Sequence, residues 1–232
     1  MTEWTVLSGL SVRLEPMAMR HVKGLAEAAR SGASPFTPVP RGRAETRAYV
    51  ARAGAERRVR ASLAFTVIDR RRGIVGATRF KGLERRAPDA TAGGPDSVEI
   101  GNSWLCASAR GTDVNLEAKL LMLEHAFESW RAHRVCFRVD TRNHRSRAAL
   151  EKLGAVCEGE WPAPSLASDG TLREVASYRV LSGEWPAVRD TITLRLSQHP
   201  RLRAGLPAGG TTEVPAGAAT RTATLRGLAA GR

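Results

Sequence analysis

The sequence predicts an α+β domain built on one mixed sheet. Three observations carry this. Hydrophobic residues are 42% of 232 positions, enough apolar surface for a substantial core. Short alternating or β-branched segments are interleaved with longer segments of helical period. The order places early helices ahead of three antiparallel strands, and the third strand opens a strand–helix–strand–helix–strand–strand series. That order mixes parallel with antiparallel neighbours.

Taken along the chain, Ser11–Glu15 alternates as a short strand. His21–Arg30 and Arg43–Arg58 have Ala-rich faces opposite Arg-rich ones, as amphipathic helices do. Ser31–Pro40 between them is loop, punctuated by Pro and Gly. Leu63–Ile68 and Ile74–Phe80 flank a polar turn, Asp69–Gly73, and read as a hairpin. Glu84–Asp96 is loop by composition, and Ser97–Leu105 alternates as a strand. In Val114–Trp130 the apolar Leu116, Leu120, Leu123, Phe127 and Trp130 recur at helical steps, predicting a long amphipathic helix. Arg134–Val139 is a strand. Asn143 can cap a helix that runs to Leu153 and stops at Gly154. Ala155–Glu160 and Glu174–Leu181 pair as closing strands through a turn at Ser168–Gly170. The domain is expected to span residues 1–196. Residues 197–232, rich in Ala, Gly, Pro and Thr without an aromatic, are expected to form a disordered tail.

Charge is the loudest feature of the composition. The net charge is +13; residues 197–232 hold five Arg against one Glu, +4, leaving +9 for the body. A basic body suits either a nucleic acid or a polyanionic ligand. Other classes are excluded. No run reaches the roughly 18 apolar residues of a membrane span, and the N-terminus lacks a signal peptide's basic start and apolar stretch. Cys106, Cys136 and Cys157 are odd in number and form no CxxC pair, which fits a reducing cytoplasm rather than a disulfide framework. The five His form no metal-spaced pair, so no metal is expected. Phosphate-loop, dinucleotide and nucleophile-elbow motifs are absent.

The junction from Trp104 to Asn115 remains. A strand ends, a small-residue loop follows and a long helix begins. First-turn amides lack intrahelical partners, and with the helix dipole they form an anion site; Arg110 adds a guanidinium. A plain helix cap by Asp113 is the bland account of the same residues.

The surrounding pattern weighs against the bland account. EIGNSWL…ARGTDVNLEAKLLMLEHAFE followed by RVCFRVDTRNHRSRAALEKLGAVCEG closely resembles the GNAT superfamily of N-acetyltransferases, and within it the Rim-type (ribosomal-protein-alanine acetyltransferase) branch. The likeness runs from about Val12 to Leu196 and includes VRLEP, IVGATRF and Tyr178. It implies a single mixed, twisted sheet with helices on both faces and a V-shaped splay between Ser97–Leu105 and Arg134–Val139. It implies acetyl-CoA as donor: the pantetheine arm lies along Trp104, Leu105 and Cys106, and the pyrophosphate rests on Arg110, Gly111, Thr112, Asp113, Val114 and Asn115. Asn143 would bond the pantetheine amide. Glu99 would be the general base, acting through water; Ser146 would protonate the leaving thiolate, with Tyr178 as the alternative acid. Glu99 can equally satisfy a buried polar contact, and Ser146 can be an ordinary first-turn serine. Cys106 reads better as a small hydrophobe than as a nucleophile.

The acceptor pocket would come from Ser31–Pro40 and Glu158–Asp169. Phe36, Trp161 and Trp185 are candidate pocket aromatics, though packing suits each. Acceptors in view are a protein N-terminus, an amine antibiotic or a small metabolite, in a monomer or homodimer. Asp113 and Asn115 stand where the family pattern has small residues; Asn is acceptable in this branch, but Asp113 stands where a Gly lets phosphate approach. It leaves open a weakened CoA site, a different donor (aminoacyl-tRNA or a carrier-protein thioester) or lost catalysis. A non-catalytic RNA-binding module is the other class, resting on the basic clusters Arg57–Arg60, Arg70–Arg72 and Arg142–Arg147. Aromatics for stacking are only 5%, and the clusters fall on different elements.

Overall fold

The computed structural model describes residues 5–85, 94–166 and 172–198, with the side chains of 164–166 left aside. Eight strands form one sheet: β1 (Leu7–Ser8), β2 (Val12–Pro16), β3 (Ser62–Asp69), β4 (Gly73–Glu84), β5 (Ser97–Leu105), β6 (Arg134–Asp140), β7 (Val156–Leu166) and β8 (Leu172–Leu181). Their spatial order is β1-β2-β3-β4-β5-β6-β8-β7. Every neighbouring pair is antiparallel except β5–β6. The helices are α1 (Val22–Ala29), α2 (Gly42–Arg58), α3 (Val114–Glu124), α4 (His144–Leu153) and α5 (Trp185–Gln198). This is the expected α+β architecture on one mixed sheet.

The pleat gives the sheet two unlike faces, because residues opposite one another on paired strands point the same way. Val98, Ile100, Phe80, Val135, Phe137, Tyr178 and Val180 are buried on one face, where Phe80 packs on His125 and Trp130 just beyond α3. Each such side chain is worth about 1.5–3 kcal/mol of burial. The other face carries Arg79, which pairs with Glu56 of α2 at 2.8 Å and lies under Tyr49. Thus α1 and α2 cover the β2–β4 half of that second face. From β5 to β7 it opens onto a cleft.

Three local expectations need correction. α5 was not anticipated, yet Trp185, Val188, Ile192 and Leu196 are all buried. It ends at Gln198. β1 is too short to leave a period in sequence. The stripe on α3 is broader than expected: Leu116 and Leu120 are partly buried, while Val114, Ala118, Leu121 and Met122 are fully so. The helix is enclosed on several sides, and it continues as a π-helical turn, His125–Ser129. The Ser168–Gly170 turn, most of the Glu84–Asp96 loop (residues 86–93) and the tail beyond residue 198 lie outside the described residues.

Candidate functional site

The site begins with a strand pair that fails to stay paired. β5 and β6 join only through Ser97↔Arg134, Val98↔Val135 and Glu99↔Cys136. Both strands run on, to Leu105 and Asp140, and diverge into a V. A bulge lies just beyond that last rung: Asn102 and Ser103 of β5 oppose the single Thr78 of β4, and Asn102 adopts φ 48°. A bulge bends and twists its strand, and Asn is among the residues that tolerate a left-handed φ. The bent part of β5 turns an unpaired edge toward β6. Such an edge can accept an extended ligand as an added strand.

A cleft of about 1030 Å³ follows this V. At one end it meets the start of α3, where Gly111 takes φ 73° and lets the backbone approach a ligand closely. The loop is tied down: Cys106 N–H donates to the Val75 carbonyl at 2.8 Å, and the Thr112 hydroxyl donates to the Ala109 carbonyl at 2.7 Å. The first-turn amides of α3 remain outside the helical ladder.

The structure sorts the residues singled out from sequence. Trp104, Leu105, Arg110, Gly111, Asn115, Asn143 and Ser146 line the cleft together. Asn143 caps α4, accepting from Ser146 N–H at 3.2 Å, so cap and cleft wall are one residue. Arg110 differs from expectation in one respect. Its Nε donates to the Leu105 carbonyl and its Nη2 to the Ala33 carbonyl, both at 2.9 Å, clamping the end of β5 to the 31–40 loop. Cys106, Thr112, Asp113 and Val114 do not line the cleft. Cys106 is buried, 3.3 Å from the Ser108 hydroxyl, as a small hydrophobe would be. Asp113 sits at the N-cap position of α3, off the cleft wall. Phe36 and Trp161 face the cleft, whereas Trp185 stacks on Phe127 and donates to Glu128 in the core. Tyr178 is buried away from the cleft; its hydroxyl donates to Glu151 at 2.7 Å and accepts from Arg147 at 3.2 Å. Burial and the Glu151 contact raise its pKa further, so it holds its proton tightly.

Glu99 is buried on the last rung before the V. Lys81 Nζ lies 2.9 Å from Oε1 and Arg138 Nη1 donates to Oε2 at 3.2 Å. Oε1 nevertheless accepts no aligned hydrogen bond from the protein. The ammonium is at ion-pair distance but out of line, so Oε1 is left without a hydrogen-bond partner. Glu99 itself does not reach the cleft wall; Lys81 and Arg138 do.

Sequence reasoning missed two cleft residues. Lys119 of α3 is buried, donates to the Ser103 hydroxyl at 3.2 Å and lies over the Phe137 ring. Burial without a carboxylate lowers its pKa to about 8. Its signal was present: a lysine one residue before Leu120, inside a helix otherwise apolar at that height. Arg145 of α4 reaches across the V, its guanidinium 3.8 Å from where a Cβ on Gly111 would stand. Nothing in spacing announces that, because the two jaws meet only in the fold. Among the described residues no group of three or more His, Cys, Asp and Glu could hold a metal ion. No described helix is long and apolar enough to cross a membrane.

Comparison with known proteins adds kinship to this geometry. The family model for the acetyltransferase (GNAT) domain matches residues 11–156. No curated protein matches the chain. Among solved structures, a provisionally assigned acetyltransferase from T. thermophilus is 32% identical, with a TM-score of 0.66, over 82% of this chain and 96% of that one. RimJ of Mycobacterium smegmatis, solved in complex with CoA-disulfide, is 23% identical with a TM-score of 0.66, over 82% and 91%. The ribosomal-protein-S5-alanine acetyltransferase of Vibrio fischeri is 15% identical with a TM-score of 0.62, over 78% and 98%. These last two show likeness of fold.

Proposed function

Since the chain belongs to the GNAT family and is an N-acetyltransferase, we propose that it moves an acetyl group from acetyl-CoA to a primary amine, as a cytoplasmic enzyme of the Rim-type branch. One observation carries this reading: the β5–β6 ladder stops at Glu99 and opens a cleft that ends on the first turn of α3. The donor's pantetheine arm takes the unpaired edge of β5 around Trp104 and Leu105. Its pyrophosphate meets the Gly111 turn and the α3 amides, with Arg145 closing from α4. RimJ's complex with CoA-disulfide supports the same donor. Asp113 is not among the residues that line the cleft, which supports acetyl-CoA over a different donor.

The transfer needs no covalent enzyme intermediate. Both substrates sit in one cleft, and proximity supplies much of the rate. Water held by Glu99 takes a proton from the amine, which then forms a C–N bond to the thioester carbonyl carbon as the C–S bond breaks. The departing thiolate takes a proton from the Ser146 hydroxyl, which solvent restores. Ser146 is preferred to Tyr178 because it lines the cleft, whereas the Tyr178 hydroxyl is engaged elsewhere.

Calorimetry with acetyl-CoA is the direct test. Saturable binding at micromolar to low-millimolar concentration is expected, as is at most a few-fold tightening in Asp113→Gly. Absence of binding at millimolar acetyl-CoA would overturn the donor assignment.

A further inference from the structure

Along the cleft, the open half of the sheet presents charge. The registers Lys81↔Glu99, Glu99↔Cys136, Arg138↔Ser177 and Asp140↔Val175 put these side chains on one face, alternating with the buried Val135, Phe137 and Val139. Phe36 and Trp161 stand beside them, Trp161 being 49% exposed.

Every carboxylate here is already shared by two cations. Glu99 faces Lys81 and Arg138 at 2.9 and 3.2 Å. Glu158 binds Arg134 at 2.5 Å and lies 3.5 Å from Arg179, which also binds Glu184. Asp140 binds Arg142 at 3.0 Å and Arg173 at 3.3 Å. Lys81, Arg134, Arg138 and Arg173 line the cleft, while Glu158 and Asp140 are the only carboxylates among the described residues that do. A cationic acceptor would therefore find no carboxylate left to hold it, and would meet surplus positive charge. Of these four cations Arg138 is the most exposed. Its side chain is 63% exposed and commits one nitrogen, Nη1, to Glu99.

Resting on the N-acetyltransferase reading above, we propose that the acceptor is an amine that also carries a carboxylate within a few Å of its nitrogen, and that Arg138 grips that carboxylate beside Glu99. A planar guanidinium offers two parallel donors to a carboxylate. The same surplus of cations favours the neutral amine over the ammonium, and the neutral form is the nucleophile. Polyamines and polycationic antibiotics are disfavoured on the same ground. A free amino acid and the acidic N-terminus of a peptide share the required chemistry.

The test is thiol release from acetyl-CoA with five amines: glutamate, a short peptide beginning Ala-Glu-Glu, matched peptides beginning Ala-Gln-Gln and Ala-Lys-Lys, and spermidine. Glutamate or the acidic peptide should exceed the neutral peptide roughly fivefold to tenfold in kcat/KM, an advantage that shrinks with added salt. The basic peptide and spermidine should be slowest. Which acidic amine leads identifies the source. Arg138→Gln should bring the acidic-to-neutral ratio close to one, chiefly through KM, and Arg138→Lys should restore part of it. A mere structural role for Arg138 would lower both rates alike and leave the ratio intact. Neutral or cationic amines equalling the acidic ones, a ratio that survives Arg138→Gln, or no turnover of either acidic amine would each overturn the inference. In all three cases acetyl-CoA binding by calorimetry would leave the donor reading standing; failure of that binding overturns both.

Discussion

Glu99 is where local geometry and chemistry meet. It closes the last rung of the parallel ladder, and it is buried with one oxygen accepting from Arg138 and the other unaligned with Lys81. A buried carboxylate kept only for structure would be expected to have both oxygens satisfied. Glu99→Gln keeps the shape and the Arg138 contact while removing the proton acceptor. Turnover is expected to fall by about 10²–10⁴, with acetyl-CoA affinity within about twofold of the parent by calorimetry. An unchanged rate would assign Glu99 to packing and leave the amine's proton to solvent. The sequence identified this residue only by resemblance. Its position eleven residues before Arg110 is legible, but the two cations that flank it come from β4 and β6 and could not be read from spacing.

At the scale of elements, the V depends on a bulge, and the bulge has a brace. Thr78 Oγ1 lies 2.7 Å from Ser103 Oγ, and Lys119 Nζ donates to Ser103 at 3.2 Å. The three side chains link β4, the bulged stretch of β5 and α3. Burying an ammonium against hydroxyls alone is costly, as its lowered pKa of about 8 records. Its retention is explained if it holds β5 bent away from β6. Lys119→Met preserves the length and removes the donor. The expected outcome is a protein as stable as the parent or more so in thermal unfolding, with acetyl-CoA bound several-fold more weakly. Greater stability with unchanged donor affinity would limit Lys119 to filling space. Most elements were legible because their periods were clean: β5 has its predicted bounds, and α4 runs from the Asn143 cap to Gly154 at φ 96°. The brace was not legible, since hydrogen bonds between α3 and β5 leave no period in either.

At the scale of the whole chain, the unanticipated α5 decides what counts as the domain. Its residues Trp185, Val188, Ile192 and Leu196 recur at steps of three and four, so a helical signal was there. Arg189, Asp190, Thr191 and Thr193 interrupt that run and obscure it in the sequence. In the fold all four apolar residues are buried, and Trp185 packs on Phe127. At about 1.5–3 kcal/mol each, their loss is comparable with the 5–15 kcal/mol that holds a typical domain together. Two truncations separate core from appendage. A chain ending at Gln198 is expected to unfold within a few degrees of the full-length protein and to bind acetyl-CoA with the same affinity. A chain ending at Glu184 is expected to lose cooperative unfolding altogether. The first truncation also removes +4 of the +13 net charge. If acetyl-CoA affinity and its salt dependence are unchanged by it, the positive charge that meets the donor's phosphates belongs to the body of the fold. A marked loss of affinity would instead assign part of the donor site to residues 199–232.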